Sequence, residues 1–142
     1  MKKYGVMIVG TGWVSGEHIR AFEMNEHAEV RAIVSRSYEK GRAKADEYNL
    51  GDRCKVYTDY DEALKDPNVD IVVICTPNDM HCEQTIKAAQ AHKHILLEKP
   101  VALTWEDTLR MDKAVREAGV KTLVGYVLHY NPLFMAAKKL QK

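Results

Sequence analysis

Short apolar runs alternate with longer amphipathic segments along the whole chain, and this alternation narrows the choice of fold more than any other feature. The runs lie at 6–9, 30–34, 56–57, 71–75, 94–97 and 122–126 and read as strands. Between them, stretches at 14–24, 38–48, 60–65, 79–92 and 104–118 have helical length and spacing, and Pro132 opens a further helix with Asn131 as its cap. The run Ile71-Val72-Val73-Ile74-Cys75 carries no charge, as expected of a strand covered on both faces. Strands alternating with helices in this way predict βαβ units. The fold class is therefore α/β: a doubly wound, mainly parallel sheet with helices on both faces and right-handed crossovers. In the segment 104–118, Thr104 is placed to cap, Asp107 suits the positive end and Gly119 a left-handed exit. Trp105, Leu109, Val115 and Ala118 recur at roughly helical spacing and are predicted to face the sheet.

No repeat, low-complexity segment or linker interrupts the 142 residues, so 1–142 reads as one domain. With a net charge of +1 and no basic face, neither a nucleic acid nor a membrane is expected as a partner. The apolar run after Lys2 and Lys3 is too short for a secretory signal, and no stretch reaches membrane-spanning length. Cys54, Cys75 and Cys82 are odd in number and lack CxxC spacing, which predicts free thiols and a cytoplasmic setting. His92 and His94 have no companion ligand cluster, so no metal is assigned.

The strongest chemical signal is Gly10-Thr11-Gly12-Trp13-Val14-Ser15-Gly16, which directly follows the first strand and opens a helix. Gly10 permits the tight turn, and Gly12 lets backbone approach a diphosphate without an intervening Cβ. The amides and positive end of the helix then favour the phosphate charge. Ser15 stands where a third glycine is usual, and it is small enough to keep helix and strand close. This context, strand then turn then helix inside a βαβ unit, predicts a Rossmann-type dinucleotide site for NAD(P).

The end of the second strand discriminates between the two coenzymes. NAD-selective sites place a carboxylate there, against the ribose 2′-hydroxyl. This strand instead ends Val34-Ser35-Arg36-Ser37, with no carboxylate before Glu39. Arg36 is suited to a 2′-phosphate, with Ser35 and Ser37 as hydrogen-bond donors. NADP(H) is the expected preference, and NAD(H) the alternative.

Two further segments fall at C-terminal ends of predicted strands, where ligands of such sheets bind. They are Thr76-Pro77-Asn78 with His81, and Glu98-Lys99-Pro100. Together with the glycine turn and the following His18, these segments resemble the glucose-fructose oxidoreductase and inositol dehydrogenase family in order and spacing. The resemblance implies a nicotinamide-dependent oxidoreductase acting on a small sugar, cyclitol or similar hydroxyl or carbonyl compound. It implies that Lys99 is the catalytic residue, beside the nicotinamide and the reacting carbon, where it hydrogen-bonds the substrate oxygen. Glu98 is implied near the nicotinamide ribose or carboxamide, Thr76, Pro77 and Asn78 along the coenzyme cleft, and the Lys99–Pro100 bond as cis. His81 is counted with the coenzyme-binding residues, although a structural role at a helix start is the favoured reading. Cys75 and Cys82 are expected to pack as small apolar groups.

Members of that family carry a second domain, which forms the substrate pocket, and the resemblance implies a homo-oligomeric full-length enzyme. The end Lys138-Lys139-Leu140-Gln141-Lys142, inside a predicted helix, favours the N-terminal part of such an enzyme. The alternative is a stand-alone nucleotide-binding or redox-sensing module without catalysis.

Overall fold

The computed structural model describes residues 3–140; Lys2, Gln141 and Lys142 lie outside the described residues. Six strands form one sheet: β1 (Tyr4–Val9), β2 (Ala28–Val34), β3 (Lys55–Tyr57), β4 (Ile71–Ile74), β5 (His94–Leu97) and β6 (Thr122–Val124). Their order is β3-β2-β1-β4-β5-β6 and every pairing is parallel. The chain therefore reverses direction across the sheet between β1 and β4, which is the crevice where such sheets bind ligands.

Alternation along β1 divides the core. Val6 and Ile8 point to one face, with Ile19, Ala45 and Leu50 of the helical layer there. Met7 and Val9 point to the other, with Ala63, Cys82, Ala88 and Met111. Helices α1 (Trp13–Glu23) and α2 (Tyr38–Glu47) cover the first face, and α3 (Tyr60–Ala63), α4 (His81–Gln90) and α5 (Trp105–Ala118) cover the second. A final helix, α6 (Pro132–Leu140), has no buried residue. Asn131 Oδ1 accepts the Leu133 N–H at 2.9 Å, so the expected cap is present.

The predicted elements all form, with ends that move by a few residues. β1 and β2 begin earlier than their apolar runs because backbone pairing with neighbours continues through Tyr4 and Ala28. The start of the 79–92 segment is a tight 3-10 turn, Asn78–Met80, before α4 proper. One expectation about α5 is overturned. Trp105 and Leu109 are 70% and 51% exposed, and the helix packs through Met111, Ala114, Val115 and Ala118. The inward stripe starts from Met111 and runs at 3.6-residue spacing, which leaves Trp105 and Leu109 on the flank. The ends of α5 are as read: Thr104 Oγ1 accepts the Asp107 N–H at 3.1 Å, and Gly119 is left-handed at φ 66°.

Candidate functional site at the carboxyl edge of the sheet

The parallel strands deliver four loops to one edge, and the glycine turn lies at its centre. Gly10 follows β1 with φ 105°, and its N–H donates to the Val34 carbonyl at 2.9 Å. A Cβ at Gly10 would stand 2.8 Å from the Cys75 carbonyl oxygen, so only glycine fits between β1 and β4. Gly12 is different: a Cβ there would meet nothing within 4 Å, so nothing in the chain itself calls for glycine. Gly12 is the cap residue of α1, without a side-chain cap, and the first turn holds no acidic residue. The first amides of α1 have no acceptor within the helix, and their positive end opens onto this space. Ser15 is buried and donates its hydroxyl to the Gly12 carbonyl at 2.6 Å, closing the turn from below. Gly16 provides the close approach for the next layer, since a Cβ there would overlap the Tyr48 hydroxyl. Thr11 and Val14 are half-buried, while Trp13 is 81% exposed.

At the end of β2, Arg36 is exposed and makes no ion pair among the described residues. The two serines are already engaged. Ser35 is buried, with its hydroxyl accepting the Ser37 N–H at 3.4 Å. Ser37 caps α2 by accepting the Lys40 N–H at 3.3 Å, and donates its hydroxyl to Glu39 at 2.6 Å. That bond, with the Glu39 backbone amide, holds the Glu39 carboxyl below its usual range. Of the three residues expected to meet a 2′-phosphate, Arg36 alone has its polar atoms uncommitted.

The loop after β4 carries Thr76, which donates its hydroxyl to Gln84 Oε1 at 2.5 Å, then exposed Pro77 and Asn78. Cys75 lies beneath them. Burial, and then the nearby Glu98 carboxylate, push its thiol up to about 12, so it stays protonated and packs as a small apolar group. His81 belongs to the interior: it is fully buried, with Nδ1 2.9 Å from the Pro100 carbonyl oxygen and Nε2 3.0 Å from that of Thr76. Each ring nitrogen faces one of the protein's own carbonyls, and the nitrogen that carries hydrogen donates to the one it faces. These surroundings favour the structural reading of His81 over a coenzyme-binding one.

The loop after β5 holds Glu98, Lys99 and a cis Lys99–Pro100 bond, as expected. Glu98 is buried at 8% exposure, and Lys99 beside it is exposed. Glu98 Oε1 is 2.7 Å from His18 Nε2, and Oε2 accepts the Lys99 N–H at 3.3 Å. His18 had stood in the sequence only as a marker of resemblance. Its place four residues after Val14, on the same face of α1, is the signal that could have placed it at this edge. A surface cavity of about 390 Å³, lined by His129, Tyr130, Met135, Lys138 and Lys139, includes no residue of these four loops.

A family model described as an oxidoreductase family with an NAD-binding Rossmann fold matches residues 4–126. A 1,5-anhydro-D-fructose reductase from Ensifer adhaerens is 43% identical over 116 residues, which are 82% of this chain and 32% of that protein. A 2,7-anhydro-N-acetylneuraminate hydratase from Escherichia coli (strain K12) is 35% identical over 142 residues, 100% of this chain and 36% of that protein. The crystal structure of GenD2 from gentamicin A biosynthesis, in complex with NAD, superposes with a TM-score of 0.90 at 29% identity. It covers 99% of this chain and 39% of its own. The chain thus spans about a third of the length of the curated relatives it matches.

Proposed function

The chain belongs to the oxidoreductase family with an NAD-binding Rossmann fold, and from that premise we propose that it is the coenzyme-binding part of an enzyme transferring a hydride to or from a sugar, cyclitol or related hydroxyl or carbonyl compound. One observation carries the reading: α1 begins uncapped at Gly12, in a space a Cβ would enter freely, at the point where the sheet reverses. Gly10, Thr11, Gly12, Trp13 and Val14 hold the diphosphate through backbone amides. Thr76, Pro77 and Asn78 line the second wall. When bound, the coenzyme supplies or accepts the hydride. Lys99 hydrogen-bonds the reacting oxygen of the substrate and favours its negative charge. The sugar class is supported by the names of the reductase and hydratase relatives.

The test is a calorimetric titration of NADH and NADPH into the chain. It is paired with fluorescence in a Trp105→Phe background, where Trp13 is the remaining indole. Saturable binding is expected, weakened at least tenfold by Gly12→Val with no loss of folding. No heat and no fluorescence change at millimolar coenzyme would refute the proposal.

For the coenzyme we propose NADP(H), on the strength of exposed Arg36, without an ion-pair partner among the described residues, and the lack of a carboxylate before Glu39 at the end of β2. Arg36→Ala should weaken NADPH binding by about tenfold or more, the scale of one charged hydrogen bond, and leave NADH nearly unchanged. Equal affinities for the two coenzymes in the unaltered chain, or tighter binding of NADH, would overturn this preference. A further domain completes the substrate pocket, in a full-length enzyme that is a homo-oligomer. Supporting this are the relatives' roughly threefold greater length and the exposed Tyr126, Leu128, Leu133 and Phe134.

A further inference from the structure

We propose that His18 and His81, on two different helices, are positioning residues that fix Lys99 in the cleft, His18 through the Glu98 carboxylate and His81 through the Pro100 carbonyl. The inference rests on the reading of Lys99 given above, and adds what places it.

Lys99 is exposed, and the residues on either side of it are tied down. On its N-terminal side the buried Glu98 carboxylate needs donors, because a charge removed from water without hydrogen bonds is costly. It has one from His18 at 2.7 Å and one from the Lys99 backbone N–H at 3.3 Å. Gly125, just beyond β6, closes a third side: a Cβ there would stand 3.1 Å from Glu98 Oε1. The carboxylate is thereby wedged between α1 and the end of β6, and it grips the amide of the lysine. On the C-terminal side the Pro100 carbonyl lies 2.9 Å from His81 Nδ1, while the other nitrogen of the same buried ring faces the Thr76 carbonyl. The imidazole therefore spans from the β5 loop to the β4 loop, the two walls of the cleft.

The arrangement links two jobs through one rigid element. The first turn of α1 supplies the amides assigned to the diphosphate, and the same helix carries His18 five residues after Trp13. Seating the coenzyme and aiming the lysine share that helix, and displacements of about 1 Å at a reacting centre cost about a hundredfold in rate.

The test is nuclear magnetic resonance of the chain, alongside the coenzyme titration. The Lys99 amide reports the Glu98 contact directly. His18→Leu should speed its hydrogen exchange tenfold or more, while amides in β2 stay protected and NADH or NADPH affinity stays within threefold. His18→Gln retains an N–H donor near the Nε2 position and should restore the exchange to within threefold of the unaltered chain. His81→Gln and His81→Leu should differ in the same sense at the Val101 nitrogen, whose shift follows the hydrogen bond accepted by Pro100. An unchanged Lys99 amide in His18→Leu, or equal behaviour of the Leu and Gln variants, overturns the proposal. If His18→Leu does not fold, the unaltered chain decides: His18 Nε2 must carry hydrogen, and an Nε2 without it is refutation. Failure of coenzyme binding in the unaltered chain would count against the function instead, and the two results are separately readable.

Discussion

Asp66 shows how much one side chain can hold together in a fold of this size. Burial alone would push its carboxyl up. The Asn68 backbone N–H, the Tyr57 hydroxyl, the Asn68 side-chain amide and Lys55 together outweigh burial and hold it at about 2. Because the folded value lies below the unfolded one near 4, the bonds contribute roughly 2 kcal/mol at neutral pH. That contribution is complete above the unfolded value and is lost as pH falls toward 2. Asp66→Asn should flatten the pH dependence of unfolding between 4 and 2, and parallel curves would remove Asp66 from the account. Thr85 is the opposite case: it is 1% exposed and its hydroxyl has no hydrogen-bond partner among the described residues. Thr85→Val keeps the shape and removes that buried polar atom, so thermal unfolding should stay level or move upward. Neither residue was visible in the sequence as special, because a buried bond network depends on which distant backbone comes near. The glycine turn was visible, because strand-then-turn-then-helix chemistry at Gly10 and Gly12 is local.

At the level of elements, capping was legible and facing was not. Thr104, Asp107 and Gly119 act within a few residues of one another, so reading them requires no knowledge of the rest of the chain. Thr104→Ala should cost about 1 kcal/mol, measured by denaturant unfolding, through loss of the bond to the Asp107 amide. A change under a few tenths would mean that water replaces the cap. The inward stripe of α5 depends instead on where α4 lies, and both helices share the face that holds Cys82 and Met111. Large apolar side chains at Trp105 and Leu109 drew the stripe away from Met111 and Ala114 in a reading by periodicity alone. For His18 and Glu98 the sequence separation is eighty residues. Only the sheet order, with β5 two strands from β1, brings the two elements to one edge.

For the whole molecule, alternation of strand and helix was enough to specify the doubly wound sheet, and with it the edge on which the site lies. The apolar surface around β6 and α6 was not legible in the same way, since those side chains look like core until their partners are known. Leu128, Leu133 and Phe134 are each more than half exposed, and such surface drives association. Sedimentation of the chain should show mass rising with concentration, and Leu133→Lys should suppress the rise without altering coenzyme affinity. A monomer at every concentration would leave that surface without a role. The open space at Gly12 has a consequence on a longer timescale. A methyl group placed there collides with no other part of the described chain, so its cost to the fold is only that of a poorer cap residue. On the reading proposed above, lineages carrying this domain could lose the ligand in one step and keep the shape nearly intact, so selection at that position would act chiefly through the molecule it holds.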